Sequence, residues 1–373
     1  MKFRWRAGFC TAALLTVVTG GAPASGQRRE EPTAADRVRA HMEFLADDLL
    51  EGRRTGTRGY DVAARYVAST LKTYGFAPAG SDGTYFQPVP LRASTQQAAT
   101  LRVAPAKGAP VTLHVPQDAV VLPELIRPRS ELTAPLVYAG FGVTAPELGY
   151  DDYAQIDARG KVVLILSNAP AQFRSEVRAY YASPTQKAAT AVRHGAVGLV
   201  IMLLPEEQKR YPWEDVARFT SAPAMAWIDE QDRPVDRHPE IRGSAFLGPS
   251  GVEKLFAHAP TPLADVYAAG EKGAPRAFEM PITLTIQSAA EHATVRSANI
   301  VGLLRGTDPA LADSYVVLTA HLDHEGISAP FEGDAIYNGA FDNAAGCAVL
   351  LEVARAMAAG ARPRRSVLMV FVT

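Results

Sequence analysis

Apolar positions along this chain change period twice, marking an N-terminal helical stretch, a central β-rich stretch and a C-terminal α/β stretch. Over residues 33–51, Val38, Met42, Leu45 and Leu49 recur at helical spacing, with Thr33 or Asp36 placed to cap. The loop "EGRRTGTRGY" follows. A second helix is expected from about Asp61 to Tyr74, closed by Gly75. The Arg53–Gly59 segment reads either as a plain Gly/Thr turn or as a loop that touches a substrate.

From about 85 to 130 the pattern is one of short strands broken by Pro, Gly and Thr. "APLVYAGFGV" (134–143) and "GKVVLIL" (160–166) read as strands, the second buried on both faces. "SPTQKAATAVRHGAVGLVIML" (183–203) reads as helix, glycine stop and strand, with Ser183-Pro184 at the helix start. Residues 256–280 are rich in Ala, Pro and Gly and read as a connector. Beyond them strands are expected at 282–287, 298–304 and 315–319. A long loop at 322–339, a helix from about 344 to 359 and a strand at 366–372 complete the series. Alternating helices and continuously apolar strands predict an α/β fold: a mixed, mostly parallel sheet covered by helices, carrying an inserted β-rich unit.

With 373 residues the chain has room for two domains, or for one large domain with an insertion. Its 38 basic and 39 acidic residues leave a formal net charge of −1. That balance offers no electrostatic argument for nucleic acid or an anionic membrane as a partner. The N-terminus changes the picture more. Lys2, Arg4 and Arg6 precede the apolar stretch "AGFCTAALLTVV", and Ala22-Pro23-Ala24 offers a cleavage site, the layout of a secretory signal peptide over residues 1–26. The mature protein is therefore expected in the periplasm or the medium, not embedded in a membrane. Removal of that segment takes Cys10 with it and leaves Cys347 alone, on an apolar helix where burial is the expected fate.

The densest chemistry lies in "LTAHLDHEG", where His321 and Asp323 stand at the carboxyl end of an apolar strand. Ligand and catalytic sites of such sheets gather at that end. Two apart on an extended chain, the two side chains project to the same side, which suits a carboxylate orienting an imidazole whose other nitrogen binds a metal. Further on, "IYNGAFDNAAG" brings Asp342 to the start of a helix. A carboxylate there has two oxygens, enough to bridge two cations. The same position equally suits Asp342 or Asn343 as an ordinary helix N-cap.

Taken together, "VVLTAHLDHEG…DAIYNGAFDNAAGCAVLLEVARAM…RSVLMVFVT" resembles the core of the secreted di-zinc aminopeptidases, the clan MH zinc exopeptidases. "FLADDLLEGRRTGTRGYDVAARYVASTLKTYGF" is similar to the family's N-terminal helical region, and "GKVVLIL…KAATAVRHGAVGLVIM" looks like an inserted protease-associated domain. The resemblance implies a layout of 27–130 for the first part of the peptidase domain and 131–255 for the insert. A connector at 256–281 and the remaining peptidase domain at 282–373 would follow.

It also implies that His321 ligates one zinc, Asp342 bridges two zincs, and Asp323 orients His321. His324 would be structural or pocket-lining, and a cis peptide would join Asp342 to Asn343. Phe341 stands where the family often has an aspartate. The family's glutamate base and further ligands would follow Thr373, so the chain as given is expected to be an inactive piece of a longer enzyme. The implied activity is hydrolysis of N-terminal peptide bonds by metal-activated water, with peptide or protein N-termini as substrate. Three other readings stay open: a glutaminyl cyclase-like enzyme on the same fold, a non-catalytic receptor or binding homologue, and an interaction module in the insert.

Overall fold

A computed structural model describes residues 31–373 apart from 221, 236 and 312; the signal-peptide reading lies outside the described residues. Two helices open the described chain. Ala34–Leu45 starts at Thr33, whose hydroxyl accepts from the Asp36 N–H while the Asp36 carboxylate accepts from the Thr33 N–H at 2.9 Å. This reciprocal cap satisfies two of the donors a helix start leaves over. Arg58–Thr73 is capped by Thr57 and buries Tyr60, Ala63, Ala64, Val67 and Leu71 along one stripe. Gly75 (φ +81°) takes the left-handed turn that ends it.

The two longest strands, Phe86–Pro105 and Phe278–Leu304, form an antiparallel ribbon that runs between two hydrophobic cores. At one end Leu101, Val103, Ile282, Leu284 and Ile286 enter the larger core, which is completed by strands Arg129–Tyr138, Val162–Leu166, Gly198–Met202 and Ser244–Leu247. These four strands pair parallel in that order. At the other end Ile300 and Leu304 enter the second core, with helix Arg58–Thr73, helix Ala345–Ala359 and the parallel strands Tyr315–His321 and Ser366–Val372. Among the described residues no helix is long and apolar enough to cross a membrane.

The mixed sheet with helices is as the pattern predicts, but several details depart from it. Antiparallel pairing takes a larger share than expected, because the segments read as 282–287 and 298–304 are one strand of 27 residues. Its middle, "SAAEHATVR", is more polar because both faces there are less covered, so the apolar signal fades although the ladder continues. The expected connector at 256–280 is also structured. Leu255 and Phe256 are core residues, and Leu263–Glu271 is a helix that buries Val266 and Gly270. A Cβ on Gly270 would stand 2.7 Å from Leu166 Cδ1, so this glycine serves close packing and not flexibility. Residues 101–121 share the larger core with 132–286, where the layout implied by the resemblance grouped them with the C-terminal part. Finally, the expected loop 322–339 holds a hairpin of Gly326–Phe331 and Asp334–Tyr337.

Candidate metal centre

His321 is the last residue of strand Tyr315–His321, paired with Val372 of the neighbouring parallel strand. The strand pair thus delivers it to the carboxyl edge of the sheet, where loops and not side chains cover the core. Its Nδ1 lies 3.1 Å from the main-chain oxygen of Asp323. A carbonyl can only accept, so Nδ1 donates to it. The other ring nitrogen, Nε2, lies 2.9 Å from Asp342 Oδ1. At this separation the nitrogen and the carboxylate share either a proton or a cation. The side chains of His321 and Asp342 are 41% and 66% exposed, so the pair opens outward to incoming groups.

The role expected for Asp323 is met differently. Its carboxylate oxygen is 3.8 Å from His321 Nδ1, beyond hydrogen-bond reach, and its backbone carbonyl is the partner instead. Alternation along an extended chain would bring the two side chains together, but the chain leaves the strand after His321 and that alternation stops there. His324 Nδ1 stands 3.8 Å from the second oxygen of Asp342, and burial holds this half-buried imidazole below its ordinary range.

The geometry separates Asp342 from the capping role that its position allowed. Residues 340–344 form one wide irregular turn, entered through Gly339 (φ +61°), and the Asp342-Asn343 peptide is cis. Asn343 Oδ1 accepts the Gly346 N–H at 3.0 Å at the head of helix Ala345–Ala359, and the Asp342 carboxylate caps no N–H there. Asn343 therefore serves the helix, and the Asp342 carboxylate is left for the histidines. Phe341 beside it is 91% exposed.

Arg53, in the loop read either as a plain turn or as one that touches a substrate, is fully buried beneath the centre. Its Nε donates to the Leu322 carbonyl at 2.9 Å, Nη1 to those of Asn338 (2.7 Å) and Leu45, and Nη2 to that of Gly339 (3.1 Å). One planar fork thereby joins the segment after His321 to the segment before Asp342. The loop presents it through Gly52 (φ +66°), where a Cβ would meet the Tyr337 carbonyl oxygen at 2.4 Å. Cys347 is buried as expected. Its thiol donates to the His321 carbonyl at 3.1 Å, and burial pushes it up to about 12, far from a working nucleophile.

The donor set, one imidazole nitrogen and one carboxylate, fits zinc chemistry. Among the described residues no group of three or more His, Cys, Asp or Glu side chains converges to hold a metal.

Solved structures with a similar chain course include an aminopeptidase from Aneurinibacillus sp. strain AM-1, at 19% identity and a TM-score of 0.46, over 90% of this chain and 62% of that one. A zinc aminopeptidase from Bacillus subtilis aligns at 18% identity and a TM-score of 0.39, over 92% of this chain and 62% of its own. The chain therefore spans less than two thirds of the length of these proteins. No curated protein sequence matches it. Two family models do match: the PA domain over residues 132–233 and peptidase family M28 over residues 299–373. The segment that matches peptidase family M28 contains His321, Asp323 and Asp342, and the segment that matches the PA domain precedes it.

Proposed function

We propose that this chain is part of a zinc-dependent aminopeptidase that hydrolyses N-terminal peptide bonds outside the cytoplasm. One observation carries the proposal. Asp342, relieved of helix capping by Asn343, presents a carboxylate oxygen 2.9 Å from Nε2 of an imidazole whose Nδ1 faces the Asp323 carbonyl. The family M28 match over these residues supports it, and the export clause rests on the N-terminal sequence alone.

In this reading His321 and Asp342 hold the metal, with Asp342 shared between two ions. Bound zinc supplies a polarised scissile carbonyl and a water ionisable near neutral pH. The Asp323 carbonyl keeps Nδ1 of His321 protonated and the ring oriented. Arg53 fixes the spacing of the two ligand-bearing segments. His324, half-buried, walls the far side of Asp342. Zinc takes about four ligands, so His321 and Asp342 by themselves would hold it weakly.

The test uses the longer protein with leucine p-nitroanilide and its N-acetylated counterpart. Cleavage of the free-amine substrate only, abolished by a chelator and restored by zinc, is the expected result. Equal cleavage of both contradicts the aminopeptidase reading. Release of pyroglutamate from an N-terminal glutamine, with no cleavage, would instead identify a cyclase. A folded protein inert to every substrate would identify a binding homologue.

A further inference from the structure

One short helix runs from the larger core to the rim of the candidate metal centre. Trp213–Thr220, inside the PA-matched segment, has no fully buried residue, so core packing does not hold it. Its ends do. At the start the Trp213 ring lies against Gly248, where a Cβ would stand 2.6 Å from it, and its Nε1 donates to the Pro116 carbonyl at 2.9 Å. At the far end the Phe219 ring meets that of Tyr337 edge-on, with centroids 6.3 Å apart. The Arg218 guanidinium stands 4.9 Å from the centre of the Phe331 ring and pairs with Asp215 at 2.5 Å.

Tyr337 and Phe331 belong to the hairpin of Gly326–Phe331 and Asp334–Tyr337, which is rooted at the centre itself. One root follows His324 directly, and the other leads through Asn338 to Gly339. Gly339 packs so closely on the His324 ring that a Cβ would stand 2.5 Å from its Cγ, and His324 Nδ1 lies 3.8 Å from Asp342. Both roots are fixed. Arg53 donates to the carbonyls of Asn338 and Gly339, and its own carbonyl accepts the His324 N–H at 3.2 Å. The body is held differently: no residue of 326–337 belongs to a hydrophobic core, and Ile327 and Phe331 are half exposed. An isolated hairpin and an isolated eight-residue helix are each marginal in water, so each keeps its place through the other. Such elements lie at the low end of local stability. We propose that the end of helix Trp213–Thr220 is a catch on this hairpin, through which the PA-matched segment sets how open the approach to the His324 side of the centre is. What travels along that approach rests on the peptidase reading; the catch does not.

Amide hydrogen exchange and carbethoxylation of histidines by diethyl pyrocarbonate, both read by mass spectrometry on the full chain, test it without using activity. Phe219→Ala removes one ring of the catch, and Arg218→Met removes the cation while keeping an unbranched apolar side chain. In each variant exchange over 326–337 should quicken about threefold or more, as the loss of one aromatic or cation–π contact implies. Helix Ala345–Ala359 should exchange as in the parent. Carbethoxylation of His324, whose side chain is 17% exposed, should quicken about twofold or more as the hairpin loosens. Glu214→Ala, exposed on the same helix, should change neither rate. The inference is overturned if both variants leave 326–337 at the parent rate, or if the hairpin loosens and His324 reacts no faster. It is also overturned if helix Ala345–Ala359 loosens equally in Arg218→Met. Failure of the peptidase reading shows separately, as no cleavage by the longer protein, and leaves these rates as they are.

Discussion

Asn343 and Asp342 are neighbours with opposite duties: the first accepts the Gly346 N–H at 3.0 Å, and the second turns its carboxylate to His321 at 2.9 Å. Each duty predicts its own phenotype. Asn343→Ala removes a side-chain acceptor at that helix start and should cost ~0.5–2 kcal/mol in a denaturant titration. Asp342→Ala should leave the unfolding midpoint within ~0.5 kcal/mol of the parent, as expected for an exposed side chain outside the core. The reverse order of effects would return the capping role to Asp342.

Gly346 gives a sharper check of the same cap. A glycine inside a helix ordinarily costs ~0.5–1 kcal/mol relative to alanine, so Gly346→Ala would be stabilising on propensity alone. Here a Cβ would stand 2.2 Å from Asn343 Oδ1. The substitution should therefore lower the midpoint. A raised midpoint would mean that Asn343 does not hold this position.

Arg53 is predicted to be intolerant even of lysine. Lysine keeps the charge, but a single ammonium cannot reach the carbonyls of Leu322, Asn338 and Gly339 together. Each buried carbonyl left without a donor costs roughly 1–3 kcal/mol, so Arg53→Lys should destabilise by more than about 2 kcal/mol. A shift under ~0.5 kcal/mol would show that the fork does not tie these segments together.

The PA-matched region carries a pH signature. Burial pushes Asp152 up to about 7, although it accepts from the N–H groups of Phe141 (3.0 Å) and Val143 (3.1 Å) and from the Tyr150 hydroxyl (2.8 Å). Between its ordinary 3.8 and about 7 the folded chain holds a proton that the unfolded chain has released. Stability from this group is thus full at the acid end and lost as pH rises toward 7. Asp152→Asn removes the titration, so the parent-minus-variant difference in Tm should fall between pH 5 and pH 7.5. A difference that stays flat or rises would contradict the assignment. Burial lowers the Lys187 ammonium to about 8, so its own titration overlaps only the top of this window.

Legibility in the sequence followed the physics of each element. The helices ending near Leu45 and Thr73, the strand before His321 and the helix after Asn343 announce themselves, because caps and apolar spacing are local. The His321–Asp342 pair was legible through its motifs, although nothing in the residues alone chose between a ligand and a cap. Arg53 was not legible: its four carbonyl partners are far away in sequence or anonymous backbone, and "EGRRTG" has the composition of any exposed turn. Three positive-φ residues in a row, Glu51, Gly52 and Arg53, are the structural trace of that role. The 278–304 strand was read as two, because apolar periodicity reports burial and this ribbon is less covered between its two cores.

The central claim is that His321 and Asp342 hold zinc, with Asp342 shared between two ions. Zinc per chain, counted by elemental analysis after exhaustive dialysis of the longer protein and its variants, tests it most directly. The account predicts two zincs in the parent, at least one lost in His321→Ala, and both lost in Asp342→Ala, each variant retaining the parent's circular dichroism. Two zincs retained by the folded Asp342→Ala protein would contradict it.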